Sequence, residues 1–145
     1  MAMKHLLHAA AIAFVLPGSA MAQTVCDMGG AAPVPVLETA KASFLSGDFE
    51  TFARTTTRLM PQGPAAFGEG TSQLMGLFPD GFESCQTVAQ RRDVGGMVQE
   101  VSTFNIAGQS SPMSLYLLAM PIRGEMQISL ITFNTRMGAV LEELR

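Results

Sequence analysis

The sequence predicts an α+β domain in which N-terminal helices pack on a curved four-stranded antiparallel sheet, with a short helix at the C-terminus. Three observations carry this. Apolar residues recur at helical spacing between residues 36 and 78. Beyond Pro79-Asp80-Gly81 the period falls to two, over four runs of strand-forming residues. A last helical stretch, opened by Asn134-Thr135, ends the chain.

Residues 23–35 are small and rich in Gly, Ala and Pro over 28–35, and read as an extended lead-in to a single domain over 36–145. The first helix is predicted over 36–46, because Leu37, Ala40 and Phe44 share one face. Gly47 suits the left-handed stop after it. Asp48 can then cap a second helix by accepting backbone N–H bonds. Phe49, Phe52, Ala53 and Leu59 form its expected buried side, and Thr55-Thr56-Thr57 its frayed polar part. Pro61-Gln62-Gly63-Pro64 breaks the pattern, and a weaker helix is expected over 71–78. Strands are expected over 82–91, 97–104, 114–122 and 125–133. Gly95-Gly96 separates the first two, and Arg123-Gly124 makes a tight hairpin between the last two. The second strand mixes polar and apolar residues at both parities and reads as partly solvated. The third is apolar on both faces and reads as central. Met137, Val140, Leu141 and Leu144 are expected to turn inward from the last helix.

Residues 1–22 read as a cleavable signal peptide. Lys4 supplies the positive start, and Leu6 to Leu16 is apolar except for His8. That run is about 11 residues, against the roughly 20 needed to cross a bilayer. Pro17-Gly18 ends it, and Ala20-Met21-Ala22 places small side chains before a cut after Ala22. The expected location is periplasmic or secreted, with no membrane span after cleavage. The chain carries nine Lys/Arg against twelve Asp/Glu, so it is acidic and unlike a nucleic-acid binder.

Export places Cys26 and Cys85 in an oxidising compartment, where an even pair forms a disulfide. Both histidines, His5 and His8, leave with the signal. The remaining chain has no Ser-His or Cys-His catalytic pair and no His-based metal or haem site. No catalytic residue, metal site or cofactor is assigned. The eight methionines after residue 22 are scattered rather than clustered, which suits adaptable core filling better than soft-metal binding.

Two strings resemble the nuclear-transport-factor-like, SnoaL-like superfamily. One is Ser46-Gly47-Asp48-Phe49-Glu50-Thr51-Phe52, between two short helices. The other is Arg123-Gly124-Glu125-Met126-Gln127-Ile128-Ser129 followed by Phe133-Asn134-Thr135, with Met126 where that superfamily often has an aromatic. The resemblance covers residues 36–144. It implies a cone-shaped α+β fold that often dimerises through its sheet, in an uncharacterised exported branch. Catalytic members resembling ketosteroid isomerases or polyketide cyclases use pocket Asp, His and Tyr residues. None of Asp27, Asp48, Asp80 and Asp93 matches such a position.

The expected function is therefore an exported, non-catalytic domain. It would bind a small apolar or amphipathic ligand, or a protein partner, on a concave sheet face. Tyr116, Leu117 and Ile128 are the candidate ligand-binding residues, with Leu115, Met126 and Leu130 or their opposite-parity neighbours beside them. Which parity faces inward stays open. One alternative is an isomerase- or cyclase-like enzyme with Glu83 or Glu100 as a pocket base. Another is a structural subunit that dimerises through its sheet. Arg91-Arg92 with Asp93 is either an anion site or a charged strand end.

Overall fold

A computed structural model describes residues 24–59 and 67–144. The signal peptide, its cleavage after Ala22 and the Pro61-to-Pro64 break lie outside the described residues. An extended strap, residues 24–34, leads into helix α1 (Pro35–Leu45). Proline at the first position opens α1, where a missing N–H costs nothing. Gly47 then turns the chain at φ 77°. Helix α2 (Phe49–Thr56) starts at Asp48, whose Oδ1 accepts the Thr51 N–H at 3.0 Å. Thr56 and Thr57 at its end are buried, not frayed. Their hydroxyls donate back to the Phe52 and Ala53 carbonyls at 2.6 Å, so the buried polar atoms are satisfied. Helix α3 (Gly68–Leu77) begins three residues earlier than its apolar spacing suggested.

Strands β1 (Ser84–Arg92), β2 (Val98–Asn105), β3 (Met113–Ile122) and β4 (Glu125–Asn134) form an open antiparallel sheet in chain order. The short helix α4 (Met137–Leu141) ends the fold. The molecule is thus an α+β domain with its N-terminal helices on a four-stranded antiparallel sheet.

The sheet has two unlike faces. On the inner one, Val98, Phe104, Leu115, Leu117, Ala119, Ile128 and Ile131 join the core with residues of α1, α2 and α3. Phe44 centres that core, with its ring centroid 4.9–6.1 Å from those of Phe49, Phe52, Phe82, Phe104 and Phe133. On the outer face, Val101, Tyr116 and Val140 form a smaller cluster beside Leu118 and Met137. Because both faces of β2 are covered, six of its eight residues are buried, where alternation alone suggested partial solvation. Leu59 lies past the end of α2 and is partly exposed, and Leu141 faces solvent at the end of α4.

Two close passages fix the helices against the sheet. Gly47 and Gly81 lie back to back, both at positive φ. A Cβ on Gly47 would sit 2.7 Å from the Gly81 nitrogen, and one on Gly81 would overlap the Leu45 carbonyl oxygen. Cys26 and Cys85 form the expected disulfide, which ties the strap to β1. Closing a loop with a sequence separation of 59 stabilises the fold by about 4 kcal/mol in the chain-entropy picture.

Candidate functional site

The inner face fixes the parity that sequence left open. Leu115, Leu117 and Ile128 point under the helices, and each is at most 4 % exposed. Met126 packs at the margin of the same core. Tyr116 follows Leu115 along the strand and so points to the opposite face. Leu130 pairs with Leu118 across the outer face and is partly exposed there. Tyr116 is therefore separated from Leu117 and Ile128 by the sheet itself.

One turn before Phe44, α1 buries Lys41. Leu37, Lys41 and Phe44 lie at i, i+4 and i+7, so the lysine occupies the buried stripe. Its Nζ is 2.7 Å from Glu38 Oε1 and 2.6 Å from Glu100 Oε1. It also approaches Thr87 Oγ1 at 3.2 Å and Met28 Sδ at 3.4 Å. Three N–H bonds thus face four acceptors, and no single geometry aligns them all. Glu38 Oε1 is the atom left with a close ion pair but no aligned hydrogen bond. Gln90 Nε2 donates to Glu100 Oε2 at 2.9 Å, and the Val25 N–H donates to Glu38 Oε2 at 2.9 Å. Thr87 Oγ1 and Ser102 Oγ share a bond at 3.2 Å.

The sheet register explains why these groups meet. Ser102 and Glu100 are two apart on β2 and share the inner face. Their partners on β1 are Thr87 and Gln90, which are three apart. Such a pair belongs on opposite faces in a regular strand. A one-residue bulge at Val88 restores them to the same face.

The sequence reading named Glu100 as a candidate base and passed over Lys41 and Glu38. A signal was present: Lys41 is the only lysine after residue 22, and it interrupts an apolar helix stripe. Chemically, the cluster presents neither nucleophile nor base to solvent. Lys41 has no exposed surface, and Glu100 is 1 % exposed and fully engaged. The arrangement instead joins the strap, α1, β1 and β2 through polar contacts. Glu83 precedes β1 and lies exposed.

On the outer face the Tyr116 hydroxyl donates to Gln99 Oε1 at 3.0 Å, and Gln99 Nε2 donates to Asp93 Oδ2 at 2.6 Å. Arg91 Nε pairs with Asp93 Oδ1 at 2.6 Å. Burial, followed by the nearby carboxylates of Glu143 and Asp93, pushes the Tyr116 hydroxyl above its usual pKa. The Gln99 hydrogen bond, with help from Arg91, holds the Asp93 carboxyl below the usual carboxylate value. Arg91 and Asp93 thus satisfy one another and Arg92 Nη2 donates to the Ala32 carbonyl at 3.0 Å, as at a charged strand end.

One recess is an open groove of about 450 Å³. It runs between strap residues Met28, Gly29 and Ala31 and strand residues Gln86 to Gln90. Its wall includes Met28, Thr87 and Gln90, the outer members of the lysine cluster. A smaller recess of about 190 Å³ lies beside α3, between Leu74, Phe78, Met113 and Phe133.

No protein-family model, no curated protein and no solved structure matches the chain. The formed disulfide fits an oxidising compartment. Among the described residues, no helix is long and apolar enough to cross a membrane.

Proposed function

We propose that the chain is an exported, non-catalytic domain that binds a protein partner through its surface. The observation that carries this reading is the burial of the inner face under the helices, where the recess beside Ile128 is only about 80 Å³. Leu115, Leu117 and Ile128, which a ligand in a sheet-lined cone would touch, lie instead in one buried cluster with side chains of α1, α2 and α3. A pocket enzyme needs a carboxylate that can reach substrate, whereas Glu100 is spent on Lys41 and Gln90. What the fold offers to the outside is a strand edge, a groove and a half-covered sheet face. The nuclear-transport-factor-like resemblance is compatible with this reading, since that fold also serves non-catalytic binders.

Native mass spectrometry of the protein recovered from its own secretory compartment tests the proposal. The expected mass begins at Gln23, carries one disulfide and includes no small molecule. A panel of lipophiles is expected to leave the melting temperature unchanged. A stoichiometric co-purifying lipophile, or a clear thermal shift from one, overturns the partner reading in favour of the small-ligand one.

A further inference from the structure

The two edges of β1 are unequal. One pairs with β2 along its whole length. Among the described residues, the main chain of the other is paired only at its start, where Asp27 forms a parallel bridge to Gln86, and farther along the Ala32 carbonyl accepts from the Gln90 and Arg92 side chains. The Asp27 N–H donates to the Cys85 carbonyl at 3.1 Å, and the Thr87 N–H donates to the Asp27 carbonyl at 2.7 Å. The main-chain groups of Cys85 and Thr87 therefore point away from β2. In an antiparallel ladder this direction alternates with the partner strand. Gln90 and Arg92 oppose Glu100 and Val98, which continue the series begun by Phe104 and Ser102. Their N–H and C=O groups point to the same open side.

The strap leaves that side abruptly. Gly29 and Gly30 both have positive φ, and the Ala31 N–H closes a turn onto the Met28 carbonyl at 2.8 Å. The turn draws the strap off the strand and opens the groove described above. Asp27 thus shows that this edge accepts a strand, and the groove shows where one would continue. The groove wall from Gln86 to Gln90 carries no charge, and the strand leaves it through Arg91 and Arg92. Arg91 turns to the outer face, where Asp93 pairs with it, whereas Arg92 shares the face of Gln90 and uses one guanidinium N–H on the Ala32 carbonyl, which leaves others to donate.

We propose that this edge is a strand-addition site for an extended acidic segment of a partner protein. The segment would take the main-chain bonds of Gln90 and Arg92 and set a carboxylate beside the Arg92 guanidinium, on the face that Arg92 shares with Gln90. The inference rests on the partner reading and gives it a place and a chemistry. The lysine cluster serves the site by holding Thr87 and Gln90 rigid beneath the groove, so the edge is ordered before a partner arrives.

The test is a titration of isotope-labelled, disulfide-bonded protein with blocked hexapeptides alternating Thr or Val with Glu, followed by amide NMR. A matched pool carries Lys in place of Glu, and a third carries Glu but is N-methylated at alternate amides. The acidic pool is expected to shift the Gln90 and Arg92 amides and slow their hydrogen exchange. N-methylation is expected to weaken binding by about tenfold or more, because it removes the donors of the added strand. The lysine pool is expected to bind at least about fivefold more weakly. If no pool moves the Gln90 and Arg92 amides at millimolar concentration, the strand-addition site is overturned. Equal binding of the Glu and Lys pools overturns the acidic preference. Failure here with a clean native mass spectrum leaves the partner reading standing without this site, whereas a co-purifying lipophile removes both.

Discussion

Helix α1 buries two opposite chemistries on one face. At its C-terminal end Phe44 sits among five phenylalanine rings. One turn earlier Lys41 sits between two carboxylates and under the strap. The aromatic end gains stability from area removed from water, which is non-directional and tolerant of substitution. The ionic end gains little net stability, because desolvating charges offsets their attraction. It is instead unforgiving, since every group there depends on its partners. The difference teaches that one end of the helix supplies the energy of the fold and the other specifies how the strap, helix and strands are arranged.

The largest expected effect separates the two ends directly. Lys41→Met keeps the bulk but leaves Glu38 and Glu100 buried without their cation. Urea denaturation should show a loss of about 3–5 kcal/mol. Replacing the whole triad (Lys41→Met, Glu38→Leu and Glu100→Met) should return stability to within about 2 kcal/mol of the parent. If the single and triple variants are equally unstable, the cost lies in packing and the comparison fails.

Next comes the disulfide, which secures the strap over the ionic end. The double variant Cys26→Ser, Cys85→Ser should lose about 2–5 kcal/mol. It should also expose Lys41 to an amine-acylating reagent, which mass mapping would detect. In the parent, that lysine should label only at the rate of global unfolding.

At the aromatic end, Phe44→Leu should cost about 1–2 kcal/mol, less than Lys41→Met despite its larger change in buried apolar area. A greater loss than at Lys41 would reverse the ranking.

The smallest effects are electrostatic and lie outside both ends. The Tyr116 hydroxyl is raised in the fold, so the folded state keeps its proton longer than the unfolded one. Stability should fall as pH rises above about 10, and Tyr116→Phe should flatten that limb. Asp48 is the mirror case. The Thr51 N–H holds its carboxyl below the usual carboxylate value, so its contribution is present above that value and is lost as pH falls through the lower folded value. Asp48→Asn keeps an N-cap acceptor but should flatten this acid slope in a pH-dependent unfolding series.

Much of the fold was legible because local rules decide it. The Asp48 cap, the Gly47 stop and the Arg123-Gly124 hairpin are short-range signals, and all three stand in the structure. The four strands came from a change of period, and Ser114 to Ile122 read as central because it is apolar on both faces. The buried ionic cluster was only half legible. Lys41 interrupting the Leu37–Phe44 stripe is visible in sequence, yet its partners come from Glu38 nearby and Glu100 far along the chain.

By itself, the amino-acid sequence determined the α+β class, the order of elements and the pairing of Cys26 with Cys85, because periodicity, turn chemistry and an even cysteine count act without regard to distant neighbours. Only the tertiary structure decided which strand parity faces the helices, and that Leu117 and Ile128 lie across the sheet from Tyr116. It also decided that the Val88 bulge turns Thr87 and Gln90 to one face. The physical reason is that register has a period of two: a one-residue shift exchanges the faces of a strand, and only pairing with the next strand fixes it.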